Sequence, residues 1–303
     1  MSVIISPLTS FGCIKISGKD VKDFIQGQLT CDIDDISESY LSLAAYCNDK
    51  GRISASGYII LLENEYFFLT PKNLIANTEQ KFKQYAIFSN IIIEQCHDIL
   101  AIACMNAPKK MDMPKENNEI TSVAPGVKAA CVNSDNNLFL FFGQKEAIIT
   151  FQDEINARKD VDLILDMHYW EQANIRSGIV HVYPETLEKL TPHMINYHKS
   201  SAISFKKGCY LGQEIIARTQ HRGRSKRKLY TCEINNINSI AIGESISTKN
   251  GEQAGMIVAL SSIEKDKSHV LLVLADHTIA DSLFAQETTI ENLEAVSQPE
   301  LVS

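Results

Sequence analysis

No stretch of this chain approaches the roughly eighteen consecutive apolar residues that a helix needs to span a bilayer, which argues against a membrane-spanning segment. Its first residues, MSVIISPLTSFG, have neither a basic n-region nor a sustained apolar core, so the expectation is a cytoplasmic protein. Metal-ligand spacing is missing as well. The eight cysteines (Cys13, Cys31, Cys47, Cys96, Cys104, Cys131, Cys209 and Cys232) form no C-x-x-C pair and no Cys/His cluster, and the eight histidines form no H-x-x-x-H pair. A structural zinc site or a ferredoxin-type cluster cradle is therefore not expected, and any iron–sulfur connection has to be transient or held by a partner. There is no low-complexity tract, no repeat and only one tryptophan, Trp170.

What is present is an ordinary globular composition, 45% hydrophobic and 22% charged over 303 residues, which is long for a single core. The net charge of −8 is unevenly spread. Residues 218–228, RTQHRGRSKRK, carry six Lys/Arg and no acid, so the other residues together carry −14. A basic strip on an acidic protein suits a polyanionic partner, such as a polyglutamate tail or an RNA backbone. The competing account is a solvated linker between domains.

Periodicity orders the chain. Phe11–Ile16 has the pattern of a strand, and Val21, Phe24, Ile25 and Leu29 recur at helical spacing, predicting a helix over 19–29. Residues 42–47 and 53–62 flank the turn Asn48-Asp49-Lys50-Gly51 as a hairpin, 66–70 is a third strand, and a helix runs from Pro71 to about Tyr85. Strands are expected at 87–94, 98–105, 127–133 and 138–142, with helices at 144–157 and 167–177 and an irregular stretch over 106–126. Beyond Arg227 only short strands fit, with Lys249-Asn250-Gly251 as a hairpin turn and a loosely ordered last twenty residues. Strand pairs joined by hairpins and single helices favour an α+β fold with antiparallel sheets, followed by a small β-domain.

Lys206–Gly223, KKGCYLGQEIIARTQHRG, follows no core-packing period. Gly208 and Gly212 bracket Cys209, Tyr210 and Leu211, so a loop able to take positive φ is expected there. Nearby ammonium charge favours a thiolate, which makes Cys209 the cysteine with a stated reason to react. From Gln213 the sequence QEIIAR opens a short helix with Gln213 and Glu214 at its N-terminal end. Each residue has a plainer account: Cys209 as a space-filling thiol, Lys207 as a loop solvator, Gln213 and Glu214 as helix caps. Arg218 and Arg222 are better suited to clamping phosphate or carboxylate than to isolated surface charge.

The run KGCYLGQEIIAR, followed by HRG and by Lys226-Arg227, resembles the signature of the YgfZ family, folate-binding relatives of the glycine-cleavage T-protein linked to iron–sulfur protein maintenance and tRNA modification. The resemblance extends to Gly18, Phe24, Gln26 to Thr30 and Asp32, to Asp49-Lys50-Gly51-Arg52, and to Arg176, Gly178, Thr191 and Pro192. It implies two ferredoxin-like lobes of the T-protein type over 1–225, whose boundaries can be discontinuous, and a C-terminal β-barrel over 226–303. The ligand would be a tetrahydrofolate in a cleft between the lobes. Its implied site residues are Cys209 and Lys207 for chemistry, and Gln28, Asp32, Arg52, Arg176, Tyr210, Gln213, Glu214, Arg218 and Arg222 for binding. Its implied partners are iron–sulfur enzymes such as a tRNA methylthiotransferase and, less directly, tRNA, with the chain itself a monomer.

Two departures from the T-protein pattern bear on function. Ala55 and Ser56 follow Gly51-Arg52-Ile53-Ser54 where that enzyme has acidic residues, and His193-Met194 follows Thr191-Pro192 where it carries a folate-contacting glutamate. Losing both carboxylates argues against glycine-cleavage aminomethyl transfer. The alternatives are a folate-dependent aminomethyltransferase-like enzyme and an RNA-binding module without catalysis; against the second stand the net acidity and the lack of aromatic residues within the strip.

Overall fold

The computed structural model describes residues 3–106, 111–158, 163–165, 168–223, 225–235, 240–264 and 267–296. In chain order its elements are β1 (Val3–Pro7), β2 (Phe11–Gly18), α1 (Val21–Gln28), β3 (Ser42–Cys47), β4 (Ile53–Leu62), β5 (Glu65–Pro71), α2 (Ile75–Tyr85), β6 (Ile91–Cys96) and β7 (Ile99–Met105). There follow β8 (Ile120–Ala124), β9 (Val127–Asn133), β10 (Leu138–Gln144), α3 (Lys145–Asn156), β11 (Leu163–Leu165), α4 (Tyr169–Arg176) and α5 (Gln213–Arg222). The remaining strands are β12 (Arg227–Asn235), β13 (Ser245–Thr248), β14 (Gln253–Glu264), β15 (Lys267–Ala275), β16 (Leu283–Ala285), β17 (Thr288–Ile290) and β18 (Glu294–Ala295). The fold is mixed α+β, as expected.

Three sheets carry these strands, in the orders β11-β1-β7-β10-β9-β8, β3-β4-β5-β2-β6 and β17-β16-β13-β14-β15-β12-β18. The third curls into a half-barrel, where a barrel was expected. Its core is aliphatic, built on Ile246, Ile257, Val270, Leu272, Leu274 and Leu283, all fully buried. β1 runs parallel to β11 and antiparallel to β7. A short strand far along the chain adds to the edge of β1, and three residues are too few to show as a period in the sequence.

The chain forms two compact units, each gathered from three separate stretches. The first comprises Met1–Ile25, Ile33–Leu43 and Gly57–Ala173; the second comprises Gln26–Asp32, Ala44–Ser56 and Asn174–Ser303. In the first, α3 buries Ile148, Phe151 and Ile155, one face at helical spacing, with the Phe151 ring 5.2 Å from that of Phe141 on β10. Trp170 is buried with its ring edge-on to Phe11 at 5.9 Å, which accounts for it as core.

Several expectations needed correction. The strand predicted from 87 starts at Ile91, because Ile87 and the fully exposed Phe88 lie in the turn after α2. The stretch 106–126, read as irregular, contains β8, and its residues 107–110 lie outside the described ones. The last twenty residues are not loose throughout: β16, β17 and β18 pair into the third sheet, and only 297–303 lie outside the described residues. The basic strip is not a linker either. Arg218 and Arg222 are in α5 and Arg227 and Lys228 in β12, leaving 223–226 to connect them.

Candidate functional site

The site forms within the second unit, around the segment Gln26–Asp32. Thr30 anchors that segment: its N–H donates to the Ala45 carbonyl at 2.9 Å, its hydroxyl donates to the Ala202 carbonyl at 2.5 Å, and the same oxygen accepts the Ala45 N–H at 2.9 Å. On the other side the Ser204 N–H donates to the Thr30 carbonyl at 2.9 Å and the Leu211 N–H to the Gly27 carbonyl at 3.1 Å. Two distant stretches thus meet across one extended segment.

Lys207 locks them together. Its side chain is buried, and its ammonium donates to the Leu29 carbonyl at 2.9 Å and to the Cys31 carbonyl at 2.7 Å, while sitting 5.1 Å from the centre of the Tyr210 ring. A buried ammonium is tolerated only with such partners. Asp32 joins the same seam, accepting Nε2–H of Gln26 at 2.7 Å and the Ser204 hydroxyl at 3.4 Å. Cys209, by contrast, is exposed on the bend.

The second anchor is the hairpin turn of β3 and β4. Asn48 Oδ1 accepts the N–H groups of Lys50 and Arg52, both at 3.0 Å, and Gly51 takes φ +65°. Against it lies the start of α5. Gly212, at φ +81°, is the residue before that helix, and a Cβ there would fall 2.5 Å from the Asn48 carbonyl oxygen and 3.2 Å from Gly51 Cα. The expected positive φ holds for Gly212 and not for Gly208, beside which there is open space. Gln213 folds back along the loop, its Nε2 donating to the Gly208 carbonyl at 3.4 Å.

The structure therefore brings Gln28, Asp32, Lys207, Tyr210 and Gln213 to one seam, with Cys209 on its exposed bend. Arg52 is adjacent, but its guanidinium donates to the Lys189 carbonyl at 2.7 Å. Glu214, Arg218 and His221 line a shallow groove along α5. Arg176 ends α4, exposed, and makes no hydrogen bond to the seam among the described residues, and the side chain of Arg222 lies outside them. Within the seam two buried polar atoms have no hydrogen-bond partner among the described residues: Gln28 Oε1 and the Tyr210 hydroxyl. They belong to the neighbours of Gly27 and Leu211, whose backbone bond joins the two stretches. Buried polar atoms left in this way call for a ligand or ordered water.

The two departures from the T-protein pattern also have a structural account. Ser56 accepts the Val182 N–H at 2.8 Å, so it serves the packing of its strand. His193 is buried, stacked on His198 at 4.7 Å, with Nε2 3.2 Å from Gln220 Oε1. Burial lowers the pKa of both rings, that of His198 to about 4, so neither supplies charge at neutral pH. Sequence reasoning missed Glu188. Its carboxylate accepts the Ser54 hydroxyl at 2.8 Å, and it sits at φ +55°, a strained setting for a non-glycine residue. It lies far from Ser54 along the chain, and no local pattern marks it.

No family model matches the chain. The relative named tRNA-modifying protein YgfZ from Blochmanniella pennsylvanica is 28% identical over 284 residues, covering 88% of this chain and 85% of the relative. That of Yersinia pestis is 27% identical over 286 residues, covering 91% and 86%. Among solved structures, the glycine cleavage system aminomethyltransferase T from Bartonella henselae superposes with a TM-score of 0.72 at 8% identity, covering 99% of this chain and 86% of that one. The chain is thus similar over most of its length to proteins named tRNA-modifying protein YgfZ, and it has the fold of a glycine-cleavage T protein.

Proposed function

We propose that the protein supports tRNA modification by binding a tetrahydrofolate at the seam of segments 26–32 and 207–214, and that it serves iron–sulfur enzymes such as a tRNA methylthiotransferase. The observation that carries this is the pair of buried polar atoms, Gln28 Oε1 and the Tyr210 hydroxyl, on either side of the Gly27–Leu211 bond. A pterin edge offers N–H donors and a carbonyl acceptor, which match an amide oxygen and a hydroxyl. The exposed Arg218, Lys226 and Lys228 suit the carboxylates of a glutamate tail, although Lys228 also pairs with Asp276 at 3.0 Å. When bound, the folate would supply one-carbon chemistry. The chain's own residues hold and orient it, with Lys207 keeping the loop in register and Cys209 presenting an exposed thiol. Neutral His193 and strand-packed Ser56 in place of carboxylates weigh against aminomethyl transfer.

Deleting the gene in its host separates these roles. Methylthiolated tRNA should fall severalfold while glycine cleavage is unchanged, and the intact gene should restore the modification. Cys209→Ala should fold normally, because the residue is exposed on a bend, yet fail to restore it. Unaltered tRNA methylthiolation, or lost glycine cleavage, would sink the proposal.

A further inference from the structure

Outside this seam, two thiols of the five-stranded sheet face each other across neighbouring strands. Cys13 on β2 stands directly opposite Cys96, the last residue of β6, in the antiparallel register of the two strands. Cys13 is buried, Cys96 is partly exposed, and β6 is the edge strand of its sheet. Opposed in this register, the two side chains stand side by side on the same face of the sheet.

We propose that Cys96 and Cys13 form a hydroperoxide-reactive dithiol site that closes a reversible cross-strand disulfide. The Cys96 thiolate attacks one peroxide oxygen and the O–O bond breaks, giving a sulfenic acid and an alkoxide or hydroxide that takes up a proton. The Cys13 sulfur then loses its proton and attacks Cys96 Sγ; the S–O bond breaks, the S–S bond forms, and the departing hydroxide leaves as water. The dithiol loses two electrons and the peroxide gains them, yielding one alcohol (water, from hydrogen peroxide) and one water.

Geometry supports each part. Residues directly opposite in an antiparallel pair have Cα atoms about 4.5–5.5 Å apart, within the range of about 4.4–6.8 Å that disulfides span. Because Cys96 is partly exposed on an edge strand, the bond is open to reductants and correspondingly easy to reduce. The charged groups around the pair are mixed. Lys15 lies on the same face of β2 with its ammonium on Glu65 at 2.8 Å, Glu94 stands opposite Lys15, and Asp98 follows β6. The hydrogen bond from Cys13, ahead of the two amides, lowers the Cys96 thiol to about 6, even though burial and Asp98 push the other way. Cys104 and Cys232, raised by burial to about 12, are inert by comparison.

The test uses the intact, reduced protein with one equivalent of hydrogen peroxide, followed by non-reducing digestion and mass spectrometry. A peptide linking Cys13 to Cys96 should form and disappear on treatment with dithiothreitol. Iodoacetamide alkylation of Cys96 in the untreated protein should slow only about twofold from pH 8 to pH 6, against on the order of 100-fold for an ordinary thiol. In Cys13→Ser the oxidation should stop at a Cys96 sulfenic acid that dimedone captures. Absence of the linked peptide at peroxide doses that oxidise other thiols, or a steep fall in Cys96 alkylation toward pH 6, overturns the proposal. Both decisive measurements are made on the unaltered chain, so a poorly folding Cys13→Ser variant does not blunt them.

Discussion

Gly212→Ala should destabilise the second unit by about 3 kcal/mol or more, while Gly208→Ala should change stability by less than about 1 kcal/mol. Two costs add at position 212. An L side chain at φ +81° is strained, and its Cβ would fall 2.5 Å from the Asn48 carbonyl oxygen, a backbone atom that cannot rotate away. Relief requires the start of α5 to lift off the hairpin turn, which moves Gln213 and the loop with it. At Gly208 nothing lies within 4 Å of the added carbon. Chemical denaturation of the two variants side by side reads the difference. Equal losses would mean that the approach of Gly212 to Asn48 does not hold the loop.

Lys207→Ala should cost about 3 kcal/mol, because it leaves the buried carbonyls of Leu29 and Cys31 without their donor. Lys207→Met discriminates between causes. Methionine restores much of the stem's packing but none of its hydrogen bonds, so it should recover less than half of the loss. If methionine restored full stability, the apolar stem would be what matters and the two carbonyl contacts would carry little. The same substitutions should increase hydrogen exchange at Leu211, whose N–H bridges to Gly27 across the seam.

The local pattern was informative where a strand or helix buries a regular face. β3 and β4 start and end at the residues expected, since Ser42–Cys47 and Ile53–Leu62 are apolar runs bounded by a turn rich in Asn, Asp and Gly. The motif around Cys209 stood out because no core period explains it. What escaped the sequence was long-range. The partners of Lys207 are the carbonyls of Leu29 and Cys31, and a main-chain acceptor has no sequence signature. The bond from Arg52 to the Lys189 carbonyl was hidden for the same reason. Glu188 and the Cys13–Cys96 pair depend on strand register, which the spacing of the residues along the chain does not encode. β11 is too short to be periodic, and the exposed Ile87 and Phe88 imitated a strand through composition alone.

The most direct test of the seam as the folate site is Tyr210→Phe, measured by calorimetric titration with tetrahydrofolate beside denaturation of the ligand-free protein. The Tyr210 hydroxyl is buried without a partner among the described residues, so removing it should leave the free protein as stable as before or about 1 kcal/mol more stable. If that hydroxyl meets the folate, the same change should weaken binding about tenfold, equivalent to about 1.4 kcal/mol. Unchanged affinity in Tyr210→Phe, or no binding of tetrahydrofolate to the unaltered protein, would contradict the account.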